Sequence, residues 1–521
     1  MRFANPFSAV MVLILSVPFL AAQVVQTAQG KVEGRREPNS SVIVFKGIPY
    51  AAPPLGELRW RAPRAPASWQ GVRKAYEFSS SCMQREEHVN LPWTEEFMVQ
   101  NAVSEDCLYL NVWTPRLGAD AKLPTIVFIH GGAFIEGSGA VEVYRGEPLA
   151  ARGAVVVTIN YRLGVFGFLA HPELSAESEH HVSGNYGLLD QIAALEWVRA
   201  NIAQFGGDPG RVTIWGQSAG AASVGDLVAS PLAAGLFSRA QADSGLGAHG
   251  FPMASLHDAE ANGVKFAAEH HAASIEELRA MPAAALLPGP GWGPLLYAPI
   301  VDGWVLPDSP VAMNAKGTDN DVPLITGFQA GDSTMFSPRA DTLDAYRQMV
   351  GKLYGEMAAE FERLYPVSKA EDIKAALAQS GHERSRVSMY LFASARARSH
   401  HQPVYTYFFD RGIPWPQHPE FGAFHSGELP YFFLNLGVLQ RPWEKEDFEL
   451  AKAASTYLVN FASQGDPNGP GVAPWPRVGP DVPQTMELGS RIGPMPLADK
   501  EKVAFWTRYY ASPISNNGVP F

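Results

Sequence analysis

Cysteine is almost absent from this chain of 521 residues: there are two, Cys82 and Cys107. Two thiols cannot build a structural zinc site, and no Cys-x-x-Cys or His-x-x-x-His spacing supplies one, so no metal site is expected. Charged residues are also few, 18% against a usual ~25%. No run of Lys or Arg occurs and the net charge is −11, which argues against a nucleic-acid partner. Long apolar runs are missing beyond the first twenty residues. No later stretch approaches the ~20 residues a membrane-spanning helix needs, and the mature chain is expected to be soluble. No Gly-X-Y period is present, which excludes collagen, and neither internal repeats nor low-complexity tracts occur.

What the sequence does contain is material for a large core. Hydrophobic residues make up 46% and aromatics 11%, while 48 glycines and 42 prolines point to long, numerous loops. The start reads as a targeting segment: Arg2, then the apolar run Ala9 to Leu20 (AVMVLILSVPFL), then Ala21 and Ala22 before a polar stretch. A short apolar region ahead of small residues is a secretory signal, with an uncleaved anchor as the competing reading. Residues 1–22 are therefore assigned to a signal peptide and 23–521 to a single domain, secreted or periplasmic. An even cysteine count in an exported chain suggests one disulfide closing the 82–107 loop, against two buried free thiols.

Strand and helix patterns alternate. Residues 24–47 read as short strands broken by Gly30 and the Glu37–Ser41 turn. Pro124–His130 and Val155–Asn160 are continuous apolar, β-branched runs suited to a sheet covered on both faces. Asn185–Phe205 has helical apolar spacing and stops at Gly206, Gly207 and Pro209. Arg211–Trp215 reads as a strand and Ser218–Ala229 as a helix. Further strands are expected at Pro323–Gly327 and Val404–Phe409, with Ala340–Ser399 largely helical. The expected class is α/β, a large, mostly parallel sheet flanked by helices with an antiparallel N-terminal region.

Chemistry concentrates in three places. Gly216-Gln217-Ser218-Ala219-Gly220 lies between a strand and a helix, the context in which G-x-S-x-G presents a serine nucleophile on a sharp turn. There the N–H of Ala219 can face a developing oxyanion. His130-Gly131-Gly132-Ala133-Phe134 leaves a buried strand into a Gly/Ser loop, the pattern of a second oxyanion element; the bland reading is a plain glycine turn. The serine needs an imidazole, and the imidazole needs a carboxylate. Composition does not choose among His249, His257, His382, His400, His401, His418 and His425.

The sequence resembles the type-B carboxylesterase family, which includes cholinesterases and bacterial para-nitrobenzyl esterases. The resemblance runs through Phe45-Lys46-Gly47-Ile48-Pro49-Tyr50 and AAPPLGELRWRAP, Ser104–Pro115, HGGAF, Asn160–Leu169, Gly184–Pro209, GQSAGAAS and Gly465–Pro470. It implies an α/β-hydrolase fold with Ser218 as nucleophile and His425 as base. It also implies an oxyanion hole from the N–H groups of Gly132, Ala133 and Ala219, and a Cys82–Cys107 disulfide. Glu105 and Arg162 resemble the family's structural ion pair. Where the family has Glu in a G-x-x-x-D-E-G stretch, this chain reads Gly327-Phe328-Gln329-Ala330-Gly331-Asp332-Ser333, which aligns Asp332 with the acid; Asp302 is the runner-up. Gln217 stands where many members have Glu, and Ala133 replaces a third glycine, as in members that take bulky alcohols.

The expected function is hydrolysis of small to medium esters, bulky alcohols included, through a Ser-His-Asp triad and an acyl-enzyme, with no cofactor and no metal. The partner is a small-molecule ester. Competing readings are a cholinesterase-like enzyme (though the spacing of Trp93 from Cys107 does not match the cholinesterase tryptophan), a lipase, an amide or lactam hydrolase, and a non-catalytic binding member of the fold. Pocket walls are expected from loops 85–103, 249–295 and 330–345, with Phe134, Trp292, Phe336 and Phe424 as aromatic candidates. Asn39-Ser40-Ser41 is a lone glycosylation sequon.

Overall fold

A computed structural model describes residues 23–86, 90–250, 252–289, 297–335, 339–479 and 482–517. The signal-peptide reading of residues 1–22, Trp292 and Phe336 therefore lie outside the described residues. The frame is a 13-stranded mixed sheet. At one side Lys31–Arg36, Ile43–Pro49 and Tyr109–Thr114 run antiparallel. Tyr109–Thr114 pairs antiparallel with Val155–Ile159, and from there the sheet turns parallel. The order continues through Leu123–Ile129, Gly207–Gln217, Arg239–Asp243, Leu324–Gln329, Val404–Phe409 and Gln484–Leu488. An antiparallel strand, Ile492–Pro496, closes it.

The central strands are buried along most of their length because both faces are covered. All five residues of Val155–Ile159 are buried. One face packs on the helices Tyr186–Asn201, Ala219–Ala229 and Ile373–Ser399, the other on Leu429–Phe432 and Lys445–Gln464. Tyr186–Asn201 buries Leu188, Ile192, Leu195 and Val198 against the first face. A 3-10 turn, Ile202–Phe205, carries it to Gly206, whose φ of +88° reverses the chain. The next strand begins at once, at Gly207, four residues earlier than the apolar run indicates. Its pairing shifts register between Gly207 and Val212. Such an irregular segment can hold Pro209, which lacks a donor for the ladder.

This topology decides where the chemistry is placed. Leu123–Ile129, Gly207–Gln217, Arg239–Asp243 and Leu324–Gln329 are consecutive parallel neighbours. Their carboxyl ends release His130–Gly132, Ser218, Ser244 and Asp332 along one edge, the position where open α/β sheets hold ligands. Cys82 and Cys107 are joined, with Cα atoms 4.9 Å apart.

Candidate active site

Ser218 stands at the junction of the Gly207–Gln217 strand and the Ala219–Ala229 helix with φ 58° and ψ −125°. A non-glycine residue holds such a conformation only where its surroundings over-determine it. Here they do. The Ser218 N–H donates to Asp243 O at 2.8 Å, and its carbonyl accepts from Ala222 N–H at 2.9 Å. The flanking glycines are required by contact: a Cβ on Gly216 would lie 2.2 Å from Gly220 O, and one on Gly220 2.0 Å from Ile129 O.

The His130–Phe134 loop closes over this turn. A Cβ on Gly131 would lie 2.9 Å from Ser218 Cβ. Gly132, Ala133 and Phe134 all take positive φ, 107°, 52° and 63°. Gly132 O accepts from the N–H groups of Ile135 and Glu136, which ties the loop into a tight turn. No described residue accepts from the N–H of Gly132 or Ala133. Ala219 N–H is a first-turn donor, one that an α-helix leaves without an internal acceptor. His130 anchors the loop: its ring stacks on Tyr161 and Nδ1 donates to Gly131 O. Burial pushes its pKa down to about 4, so the ring is neutral.

His425 sits in the Gly422–Glu428 loop, 3% exposed, and its Nδ1 donates to Asp332 Oδ1 at 2.6 Å. Asp332, in the first turn of Ala330–Met335, is fully buried. Its Oδ2 accepts from Ser244 Oγ at 2.6 Å and from Gln329 N–H at 2.7 Å. Gln217 reaches the other side of the imidazole, Nε2 to Nε2 at 3.3 Å, and its Oε1 accepts from Ser426 Oγ. Trp93 Nε1 donates to His425 O at 3.1 Å and to Ser426 Oγ at 3.3 Å. Behind Asp332 lie two more buried carboxyls. Burial pushes Asp243 up to about 7, the Asp332 charge adding to it, against hydrogen bonds from Trp215, Tyr407 and Gln241. Burial also drives Glu428 well above the carboxylate range, reinforced by Asp243 and Asp332.

A cleft of about 610 Å³, open solvent at its mouth included, joins these parts. Ser218, His425, Gly131, Gly132 and Gln217 form its floor; Trp93, Phe97, Met98, Val99 and Tyr144 form a wall. Loop 85–103 thus supplies the wall expected of it. The described aromatic candidates do not: Phe134 packs on Phe168, and Phe424 packs on Phe97. Among the described lining residues His425 is the only histidine. Five of the other six candidates are engaged elsewhere: His400 with Asp319, His401 with Asp321, His418 with Glu420, His249 against Tyr510 and His382 against Phe408. Asp302 accepts from Asn185 and from the N–H groups of Trp304 and Leu306, holding a loop.

A further expectation is overturned. Glu105 and Arg162 do not pair. Glu105 takes a bidentate pair from Arg59 (2.7 and 2.6 Å), and Arg162 pairs with Asp190 (2.7 and 2.7 Å). The reason lies in placement: Glu105, beside the disulfide, faces the turn that carries Arg59, whereas Arg162 leaves the Val155–Ile159 strand against the helix bearing Asp190. Ser244, Gln217 and Ser426 are additions that the motifs alone did not single out as parts of the histidine's surroundings. No local pattern marks them, since each acts across elements.

Comparison with known proteins decides the family. The sequence profile described as the carboxylesterase family matches residues 21–506. The chain belongs to the carboxylesterase family. It is 38% identical over 483 residues to the fumonisin B1 esterase of Sphingopyxis macrogoltabida, covering 90% of this chain and 86% of that protein. It is 37% identical to the para-nitrobenzyl esterase of Bacillus subtilis, covering 90% and 95%. A solved PNB esterase structure superposes with a TM-score of 0.77 at 33% identity, over 93% of this chain and 99% of that one. This carboxylesterase therefore has the α/β-hydrolase architecture and hydrolyses esters. Neuroligin-2 of Homo sapiens is also similar, 34% identical over 86% of this chain and 61% of its own length. Among the described residues no helix is long and apolar enough to cross a membrane.

Proposed function

We propose that this carboxylesterase works through Ser218, His425 and Asp332 by an acyl-enzyme, on small to medium esters, and that it is exported, with residues 1–22 as a signal peptide and 23–521 as one domain. The observation that carries the catalytic reading is the 2.6 Å contact from His425 Nδ1 to Asp332, on a cleft that also exposes Ser218. His425 Nε2 takes the Ser218 proton as Oγ attacks the ester carbonyl. The tetrahedral oxyanion lies against the N–H groups of Gly132, Ala133 and Ala219. On collapse the alkoxide leaves with the proton from His425. A water then gives its proton to His425, attacks the acyl carbon, and Oγ is released with its proton restored. Asp332 holds the imidazole tautomer and stabilises the imidazolium. The test is a panel of para-nitrophenyl esters, acetate to palmitate, on the protein and on Ser218→Ala. Turnover of short chains that falls by about 10⁴-fold or more in the variant is expected. A variant that keeps most of its rate refutes the nucleophile.

A further inference from the structure

Gln217 is 2% exposed, and both ends of its side-chain amide have a partner. Its Oε1 accepts from Ser426 Oγ at 3.0 Å, and its Nε2 lies 3.3 Å from His425 Nε2. The amide is lodged under the glycine loop, where a Cβ on Gly131 would lie 3.2 Å from Oε1. Trp93, at the far end of the chain of bonds, fixes the direction of every one. Its Nε1–H can only donate. It donates to Ser426 Oγ, so that hydroxyl accepts there and sends its own proton to Gln217 Oε1. The amide oxygen is thereby held toward Ser426, and the NH2 group toward His425. A neutral imidazole has one donor and one acceptor nitrogen. Since Nδ1–H donates to Asp332, Nε2 presents its lone pair to the Gln217 NH2 group.

That lone pair is the one that must take the Ser218 proton. Once Nε2 is protonated, an amide N–H facing it would set two donors against each other. A half-turn of the terminal amide removes the conflict, because it exchanges NH2 and oxygen, groups of nearly equal size. Oε1 then accepts from the imidazolium Nε2–H until that proton passes to the leaving alkoxide. The NH2 group donates to Ser426 Oγ instead. A hydroxyl can accept as well as donate, and Ser426 lines the cleft, so its own proton can turn that way. Gln217 and Ser426 neither gain nor lose a proton in the exchange. The charges around His425 are otherwise set by other elements. Asp332 holds Nδ1, Asp243 and Glu428 lie behind it, and Arg85 and Glu136 line the cleft in front.

We infer that Gln217 is a positioning residue that serves both protonation states of His425, donating to the neutral imidazole and accepting from the imidazolium; this rests on the catalytic reading above. A carboxylate at 217 could only accept, and would favour the imidazolium even at rest. An apolar side chain would serve neither state.

The test is the pH dependence of kcat and kcat/KM on a short para-nitrophenyl ester, for the protein, Gln217→Glu, Gln217→Met and His425→Ala. In Gln217→Glu the acid limb of kcat/KM should move up by about one pH unit, with activity recovered above it. Arg85, Glu136, Asp243, Asp332 and Glu428 are unchanged in that variant, so the movement reads residue 217 alone. In Gln217→Met kcat should fall about tenfold, the order of one hydrogen bond to a charged group, with KM changed less than about twofold. A merely structural role for Gln217 would lower activity in both variants and leave the acid limb where it is. A limb that moves by less than about half a pH unit in Gln217→Glu, or a kcat within about threefold of the parent in Gln217→Met, overturns the proposal. Gln217→Glu is isosteric and decides alone should Gln217→Met not fold. His425→Ala tests the reading beneath: a loss of about 10⁴-fold is expected, and a variant that keeps its rate sinks the catalytic assignment instead.

Discussion

Asp332 is one methylene shorter than the glutamate common in this family, and its surroundings compensate. Ser244 Oγ and Gln329 N–H fix Oδ2, leaving Oδ1 for His425. Asp332→Asn keeps the shape but inverts the hydrogen-bond roles, so the imidazole is held in the wrong tautomer. A fall in kcat of about 10⁴-fold with little change in KM is expected from steady-state kinetics, by analogy with the same change in the serine-protease triad. His130 is a second case where burial sets behaviour. Its folded pKa of about 4 lies below the unfolded 6.5, so the folded protein resists charging it. The stability tied to the neutral ring is present above pH 6.5 and is lost as pH falls through 4, on the order of 3 kcal/mol in all. His130→Asn, which keeps a donor toward Gly131 O, should flatten the fall of Tm between pH 6.5 and 4. An unchanged slope would assign the acid sensitivity to other groups.

At the scale of elements, the turn that carries Ser218 is a packing problem solved by glycine. Strand, turn and helix cross so closely that Gly220 rests on Ile129 O and Gly216 on Gly220 O. Gly220→Ala places a methyl group inside the neighbouring strand's carbonyl shell, and backbone cannot yield as a side chain can. A destabilisation of about 3 kcal/mol is expected, read as a lowered Tm together with lost activity. The G-x-S-x-G pattern was legible because its meaning is local: a buried apolar strand before it and small residues after it. The start of the Gly207–Gln217 strand was less so. Local propensity ends a strand at Pro209, while pairing with Leu123–Ile129 carries the strand back to Gly207.

At the scale of the whole molecule, the disulfide is both a staple and a wall of the cleft. The loop between Cys82 and Cys107 supplies Gln84, Trp93, Phe97, Met98 and Val99 to the lining. Closing it constrains the unfolded chain by ~3–4 kcal/mol in the loop-entropy picture. Cys82→Ser with Cys107→Ser should lower Tm and raise KM more than it lowers kcat, since the wall moves while Ser218, His425 and Asp332 stay on the sheet edge. Equal KM in the double variant would show that the wall holds its place without the bond. The buried pairs Arg59–Glu105 and Arg162–Asp190 belong to this scale too. Each joins segments far apart in sequence, which is why the exchange of partners could not be read from the chain.

The sequence by itself determined the layered α/β class, the strand–turn–helix at Ser218 and the glycine loop beside it, because strand runs, helical spacing and tight turns are written in neighbouring residues. Resemblance to a family singled out His425 and Asp332; nothing in their own neighbourhoods separated them from His249 or Asp302. Only the tertiary structure decided which carboxylate meets which arginine, and that Ser244 and Gln329 hold the acid. Apart from the Gln329 N–H, three residues from Asp332, those are contacts between residues tens of positions apart. They exist because the parallel sheet brings the ends of its strands to one edge, and no local pattern encodes that meeting.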